Sequence, residues 1–253
     1  MKNCTNSGNL SVATTGSNNS VKVGGICGNT RGTMVISGNS NMAESVVLES
    51  ASARKLLCAA GGIIGEAGDP WANEATVFTL SGNVNLTSVL SMTNTDNTPA
   101  GGLVGYVFGP MTSSDNKNFG DIERAAVEGT EPSSVNCCAG GLVGLFRIST
   151  EERLAASFNA DMTFADVKSL GRAGMLFGMV RSDSFADLKF PNCVVGGHLK
   201  SPVGGHDLDM TADNLTSNAN IAENSYLWGY FPEGHVGLEI NGLKFGNASD
   251  YDK

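Results

Sequence analysis

The residues best suited to chemistry lie near the end of the chain, where His198, His206, Asp207 and Asp209 supply imidazole and carboxylate groups of the kind that bind metal ions. The remaining histidine is His235, and the sequence lacks the HExxH spacing that zinc peptidases need for two imidazoles and a carboxylate base. A polar loop is the ordinary alternative for this segment. We therefore predict no metal site and no cofactor.

Acidic residues with the spacing of carboxylates across one strand or turn form two pairs, Asp121 with Glu123 and Glu128 with Glu131. Paired carboxylates carry out glycoside hydrolysis, and polysaccharide lyases add basic residues, of which Lys117 and Arg124 are the few nearby. Solvated loop charges are the alternative. Neither a GxSxG nucleophile turn nor a phosphate-binding loop is present. We predict no catalytic residue.

Aromatic side chains are sparse, and four of them suggest a weak carbohydrate-binding surface because exposed rings stack on sugar faces. The four candidates are Trp71, Tyr106, Trp228 and Tyr230. For the group between residues 226 and 231, a hydrophobic plug over the last repeat is the alternative.

These residues must be positioned by a repeat. Ala-Gly-Gly-Leu-Val-Gly at 100–105 returns in closely related form at 23–28, 60–65 and 139–144, and in a decayed form at 172–178. We place the first glycine of each copy at 24, 61, 101 and 140, with Ala173 in that place in the fifth copy. A period of this size predicts stacked units. The predicted structural glycines are Gly24, Gly25, Gly61, Gly62, Gly101, Gly102, Gly140, Gly141 and Gly174.

Each unit reads as an apolar strand, a Ser-Gly-Asn turn, a second apolar strand and then Gly-Gly. This order predicts about three strands per unit and an all-β parallel β-helix, in which Gly-Gly serves sharp bends and close stacking. One residue of the apolar pair that follows should point inward. Lys22 lies two residues before the first glycine of its copy, and Arg172 lies one residue before Ala173. Because side chains alternate along a strand, these two charged residues predict opposite outward faces, and a β-bulge at the glycines would remove the conflict.

Six cysteines are present, and Cys58, Cys137 and Cys193 each lie three residues before a Gly-Gly or its equivalent. Recurrence at one repeat position favours reduced, buried thiols. Disulfide bonds are the alternative, since the count is even.

The net charge of -9 disfavours nucleic acid and anionic membrane surfaces as partners. No apolar run reaches the length of a membrane span, and residues 1–4 lack the apolar core of a signal peptide. The chain is therefore expected to be either intracellular or a mature fragment without its export signal.

The periodic Gly-Gly-Leu-Val-Gly phrase, with its accompanying Asn-Ser-Gly-Asn-Leu, resembles the GLUG motif of secreted and surface proteins of Bacteroides-like gut bacteria. Such chains include adhesin-like proteins and some labelled putative immunoglobulin A peptidases. The resemblance implies a right-handed parallel β-helix on an exported, extracellular or cell-surface protein. It implies no catalytic residues, because the motif is structural.

We therefore expect a β-helix of about five coils over residues 1–198 and a C-terminal capping segment over residues 199–253. The predicted function is a non-catalytic, adhesin-like scaffold that presents loops to a glycan or a host protein, with membrane contact only through a lipid anchor outside this sequence. A polysaccharide-acting β-helix enzyme and a spacer domain of a larger peptidase-like chain are the alternatives.

Overall fold

The computed structural model describes residues 1–15, 20–50, 58–68, 77–93, 98–129, 137–150, 153–218, 225–232 and 236–251. Strands dominate these residues. In chain order they are β1 (Thr5–Asn6), β2 (Leu10–Thr14), β3 (Lys22–Gly24), β4 (Cys27–Thr30), β5 (Met34–Ser37), β6 (Ser40–Asn41), β7 (Ser45–Ser50), β8 (Ala59–Gly61), β9 (Ile64–Gly68), β10 (Phe78–Ser81), β11 (Val84–Asn85), β12 (Ser88–Thr93), β13 (Ala100–Gly101), β14 (Val104–Phe108), β15 (Met111–Ser114), β16 (Lys117–Asn118), β17 (Ile122–Ala126), β18 (Cys138–Gly140), β19 (Val143–Arg147), β20 (Leu154–Asn159), β21 (Met162–Thr163), β22 (Val167–Ser169), β23 (Arg172–Gly174), β24 (Phe177–Val180), β25 (Ala186–Pro191), β26 (Val194–Val195), β27 (His198–Ser201), β28 (His206–Asp209), β29 (Val236–Asn241) and β30 (Lys244–Phe245).

Helix is confined, in the described residues, to α1 (Ala212–Asn218) and a 3₁₀ turn at Ala248–Asp250. Among these residues, no helix has the length and apolar character needed to cross a membrane.

Successive strands belong to five different sheets, and the chain returns to the same sheet after each coil. Sheet 1 contains β5, β10, β15, β20, β25 and β29; sheet 2 contains β1, β6, β11, β16, β21, β26 and β30; sheet 3 contains β2, β7, β12, β17, β22, β27 and β28; sheet 4 contains β3, β8, β13, β18 and β23; sheet 5 contains β4, β9, β14, β19 and β24. Neighbouring coils pair in parallel, and the described exception is the antiparallel pair of β27 and β28. The predicted parallel β-helix is confirmed.

The prediction of three strands per coil is wrong, because a complete coil such as β5–β9 contains five. Two residues separate a sheet 1 strand from the two-residue strand of sheet 2 that follows, and the first of them is in the left-handed backbone conformation. The second glycine of Gly-Gly and the residue after it separate sheet 4 from sheet 5. The left-handed residues are Asn3, Gly38, Gly82, Asp115, Ala160, Asn192 and Gly242. Glycine and Asn or Asp tolerate this conformation best, which explains the Ser-Gly-Asn phrase.

The repeated Gly-Gly leaves no space for a side chain. A Cβ atom at Gly101 would collide with the Val104 carbonyl oxygen. A Cβ atom at Gly102 would collide with the Gly141 carbonyl oxygen of the next coil and with the Asn118 side chain. The glycines therefore serve both the bend and the close approach of neighbouring coils, which stack about 4.8 Å apart.

The alignment of the fifth copy needs a correction. Ala139 pairs with Ala173, and Gly140 pairs with Gly174, so Gly174 rather than Ala173 occupies the first glycine position. Met175 replaces the second glycine. The asparagine that crowds Gly102 is replaced by Thr163 beside Gly141 and by Val195 one coil later.

This alignment also removes the conflict between Lys22 and Arg172. Lys22 pairs with Ala59, and Arg172 pairs with Cys138. Each lies two residues before the first glycine of its copy, so both occupy the same outward-facing position. No bulge is required.

In the second, third and fourth copies both residues of the apolar pair after Gly-Gly are buried, so the prediction that only one points inward is wrong. Leu103 and Val104 are 1% and 0% exposed, and both belong to the main core. Leu103 lies in the bend and Val104 begins β14. The change of direction between sheets interrupts the alternation that a continuous strand would impose.

Buried asparagines form two ladders along sheet 2. In the first, Asn39 donates to Asn83, Asn83 to Asn116 and Asn116 to Asp161, each side-chain bond being 2.8 Å long. In the second, Asn6 donates to Asn41, Asn41 to Asn85 and Asn85 to Asn118. Each amide is both donor and acceptor, so identical side chains satisfy one another at the spacing of the coils.

Beyond residue 198, the chain adds strands to two of the sheets and places a buried tryptophan in the core. β29 and β30 extend sheets 1 and 2 in parallel register to Phe245. Trp228 is fully buried against Phe177, Phe190 and Phe231, with ring centroids 5.1–6.2 Å apart. The coil pattern therefore continues past the boundary that we drew at residue 198.

Candidate functional site

The three described residues among the four predicted ligand-stacking residues do not form an exposed aromatic surface. Trp71 lies outside the described residues. Trp228 is fully buried in the core and Tyr106 is only 2% exposed, so neither presents a ring face to solvent. Tyr230 is half-buried, and the Arg172 guanidinium lies over its ring at 4.1 Å from the centroid. Stacking of a sugar on these three rings is therefore not supported.

Tyr106 and Tyr230 nevertheless mark a surface feature that the sequence did not reveal. We call it the groove: the outer surface where sheets 4 and 5 meet. One wall consists of the residues two before each first glycine, namely Lys22, Ala59, Pro99, Cys138 and Arg172. The other wall consists of the outward residues of sheet 5, namely Asn29, Glu66, Tyr106, Leu145 and Met179. The groove thus runs along the coils.

The last glycine of the repeated phrase explains why the two walls lie so close. A Cβ atom at Gly105 would lie 2.6 Å from the Ala60 carbonyl oxygen of the preceding coil. Because only a hydrogen atom fits there, sheets 4 and 5 pack against each other on their outer side as well. The middle of the groove is filled by a second apolar cluster that includes Tyr106, Cys138 and Leu145.

Near its N-terminal end, the groove opens into a depression of about 370 Å³, which we call the cleft. It is lined by Ser20, Lys22, Asn29, Arg31, Glu66, Tyr106 and Phe108.

A polar network fixes the side chains of the cleft. Lys22 Nζ lies 2.7 Å from Glu66 Oε2, and both side chains are mostly buried. Asn29 Nδ2 donates to Glu66 Oε1 at 3.4 Å. Lys22 and Glu66 neutralise each other, so the exposed Arg31 supplies the uncompensated charge of the described lining. The cleft is thus a mildly cationic polar site.

The floor of the cleft is aromatic. Tyr106 and Phe108 meet edge to face, with ring centroids 5.1 Å apart. Arg147 covers Phe108 at 4.9 Å from its centroid and pairs with Asp183 at 2.6 Å. Burial raises the pKa of Tyr106 above its ordinary value, although a hydrogen bond with Arg147 opposes the shift. The phenol is therefore neutral, and its hydrogen bond with Arg147 holds the buried ring in place beneath the cleft.

Hydrolysis by two carboxylates is not supported in the described cleft, because Glu66 is its single carboxylate and is paired with Lys22. A second depression, on sheet 1, contains Asp187 and Glu239. Their side chains are about half exposed and are paired with Arg153 and Lys189. This arrangement is typical of a solvated sheet face, since a catalytic acid needs a desolvated carboxyl.

The histidine and aspartate cluster is an ion-pair network. His198 Nδ1 lies 2.8 Å from Asp209 Oδ1, and its Nε2 lies 2.9 Å from Asp207 Oδ1. Hydrogen bonds with Asp209 and then Asp207 raise the pKa of His198. His206 instead packs edge to face on Tyr226, and His235 lies outside the described residues. The described chain holds no group of three or more such side chains arranged for a metal ion.

The acidic pairs predicted from the sequence have separate structural partners. Asp121 Oδ1 accepts a hydrogen bond from the Asp166 backbone, and Glu123 pairs with Lys168 at 2.6 Å. Glu128 is exposed, and Glu131 lies outside the described residues. Asp121, Glu123 and Glu128 do not line the cleft.

All six cysteines are free thiols in the structure, and four of them are buried. Cys58 and Cys137 share one position of the coil, with Thr98 between them, as their spacing predicted. Cys193 does not share it. It follows Asp161 in the first ladder of sheet 2, so its distance from Gly196 is unrelated to the Gly-Gly bend.

The fold and the groove define the chain as a parallel β-helix with a lateral cleft. The sequence matches no protein-family model, and comparisons with curated proteins and with solved structures give no match. The resemblance to GLUG-motif proteins therefore stays a prediction.

Proposed function

We propose that the chain is a non-catalytic, adhesin-like β-helical scaffold that binds a glycan in the cleft, outside the cell or on its surface. The cleft is the observation that carries this proposal, because it combines fixed polar groups with an exposed guanidinium, that of Arg31. The extracellular location rests on the resemblance to GLUG-motif proteins.

Preorganisation supports binding at this site. Lys22, Asn29 and Glu66 hold one another in place, and the strands that carry them are joined by continuous parallel pairing. A site fixed before binding loses little conformational entropy when a ligand arrives. Amide, carboxylate and ammonium groups match the paired hydroxyl groups of a saccharide.

Charge indicates which saccharide fits. The exposed Arg31 guanidinium matches a carboxylate in a planar, two-pronged hydrogen bond. We therefore propose that the preferred ligand is a glycan bearing a carboxylate, such as a uronic or sialic acid.

A binding assay tests this assignment. Carboxylated glycans and the same glycans with the carboxyl group reduced would be offered to the wild type and to Arg31→Gln. We expect the wild type to prefer the carboxylated set, and Arg31→Gln to weaken that binding about tenfold, since a charge-assisted hydrogen bond is lost.

Arg153→Gln is the matched control, because it removes the same charge from sheet 1, away from the cleft. Its affinity should equal that of the wild type. If both variants lost glycan affinity equally, only the overall charge of the chain would matter. If the chain bound a protein but no glycan, the partner would be a protein rather than a glycan.

A further inference from the structure

Three arginines share one position along the outer edge of sheet 5, beginning in the cleft. Arg31 follows β4, Arg147 ends β19, and Arg181 follows β24. Gly68 and Phe108 occupy this position in the two coils between Arg31 and Arg147. We call Arg31, Arg147 and Arg181 the arginine column. The parallel pairs that set its register are Thr30 with Ala67, Gly68 with Phe108, Phe108 with Arg147 and Phe146 with Val180.

The arginine column is long enough for a chain of several sugars. Neighbouring coils stack about 4.8 Å apart, so the backbone positions of Arg31 and Arg181 are about 19 Å apart. Arg31 is exposed, and the side chains of Arg147 and Arg181 are 26% and 35% exposed. Positive charge therefore reaches solvent at both ends of the column.

The end of the column away from the cleft carries more positive than negative charge. Arg147 and Arg181 share one carboxylate, since Asp183 Oδ2 lies 2.6 Å from Arg147 Nη2 and Asp183 Oδ1 lies 3.4 Å from Arg181 Nε. We call these two residues the arginine pair. Like charges at neighbouring positions of paired strands are destabilising. Asp183 offsets only one of the two positive charges.

A second like-charged pair shows how this repulsion is relieved elsewhere in the fold. Lys168 and Lys200 are neighbours on sheet 3, and each has its own acidic partner. Lys168 Nζ lies 2.6 Å from Glu123 Oε1, and Lys200 Nζ lies 2.6 Å from Asp207 Oδ2. The arginine pair has no second acidic partner of this kind among the described residues, so an anion from outside the chain would complete it.

The opposite wall of the groove adds to this positive charge through Lys22 and Arg172. The described walls and the arginine column together carry five cationic side chains against two acidic ones, whereas the whole chain has a net charge of -9. Charge is therefore segregated on the surface, and the groove attracts anionic ligands. The seven charged residues are Lys22, Arg31, Arg147, Arg172, Arg181, Glu66 and Asp183.

We propose that the groove binds a linear polyuronate, a chain of carboxylated sugars, along the arginine column. This inference rests on the proposed function, because Arg31 in the cleft takes one carboxylate of the chain. The arginine pair takes another carboxylate several sugars further along, and the planar guanidinium matches a carboxylate at each end. A terminal sialic acid supplies one carboxylate and reaches one end only. The preferred ligand is therefore a polymer bound along its length.

The wild type provides the first test, by calorimetry with galacturonate oligomers of two and six sugars. The hexasaccharide should bind at least about tenfold more tightly than the disaccharide, because only the longer chain reaches both ends of the column. This gain should shrink as salt is raised, since exposed charges are screened.

The same measurement separates this proposal from the proposed function. If the disaccharide bound but the hexasaccharide bound no more tightly, the extended site would be wrong and the glycan site in the cleft would stand. The same conclusion would follow if sialyllactose bound and neither oligomer did. If none of the three bound, both proposals would fail.

Two variants test the two ends of the column. Arg181→Gln should lower the ratio of hexasaccharide to disaccharide affinity about tenfold, because it removes a charge-assisted contact of the longer chain. Arg31→Gln should weaken the binding of both oligomers. Arg153→Gln is the matched control, since Arg153 is a similarly exposed arginine that pairs with one aspartate on sheet 1. Its affinity ratio should equal that of the wild type.

Three results would contradict polyuronate binding along the column. They are an unchanged ratio in Arg181→Gln, an equal fall of the ratio in Arg153→Gln, and an oligonucleotide of the same charge that binds as tightly as the hexasaccharide. The last result would replace the polyuronate by a nucleic acid. Circular dichroism would verify that each variant is folded.

Discussion

At the scale of single residues, Asp161 is the most perturbed carboxyl in the described core. It ends the first asparagine ladder and is fully buried, and its Oδ2 atom has no hydrogen-bond partner. Burial raises the pKa of Asp161 to about 7, against hydrogen bonds from Ser113 and Asn116 that lower it. The chain therefore buries a carboxyl where the three preceding coils carry a neutral amide, at Asn39, Asn83 and Asn116.

The pH dependence of stability follows from this pKa. Between about pH 4 and pH 7, folded Asp161 keeps its proton while the unfolded chain has lost it, so the free energy of unfolding falls as pH rises. A shift of about three units corresponds to about 4 kcal/mol. Asp161→Asn should remove this loss, and denaturant unfolding of both proteins from pH 4 to pH 8 would measure it.

Glu128→Gln is the control for that experiment, because Glu128 is an exposed residue of a turn and is not among the groups that shift the pKa of Asp161. It should leave the slope with pH unchanged. A wild-type stability that is flat over this range would show that Asp161 is ionised in the fold. A slope that survives in Asp161→Asn would show that another group causes it.

At the scale of elements, the Gly-Gly bend links local conformation to the stacking of coils. Gly102→Ala should lower the free energy of unfolding by about 3 kcal/mol, because the new methyl group meets backbone of the next coil as well as Asn118. Gly8→Ala is the control, since a Cβ atom there makes only an ordinary contact of 3.8 Å with Asn6. Chemical denaturation would compare them. Equal stability of the two variants would mean that the second glycine is not required.

At the scale of the whole molecule, the β-helix needs a closed end. Trp228→Ala should destabilise the protein by about 4 kcal/mol, because it leaves a cavity among Phe177, Phe190 and Phe231. Calorimetry would measure the melting temperature, and cleft binding would be measured on the folded fraction. Loss of glycan affinity without loss of stability would instead assign Trp228 to a ligand site.

The class of fold could be predicted from the repeat because the residues that specify one coil lie close together in the sequence. Glycines at bends, a left-handed residue before each sheet 2 strand and short apolar segments specify one coil, and their recurrence predicts that coils stack. The asparagine of the Ser-Gly-Asn phrase carried a further signal, since a polar residue that recurs beside each turn predicts a ladder. We read it only as a turn.

Other features were decided only by the tertiary structure, because they depend on contacts between coils 33 to 45 residues apart. The correct position of Gly174, the burial of both Leu103 and Val104, and the burial of Tyr106 follow from the register of neighbouring coils. The cleft arises for the same reason: Lys22, Glu66 and Tyr106 belong to three successive coils, and only stacking brings their side chains to one groove.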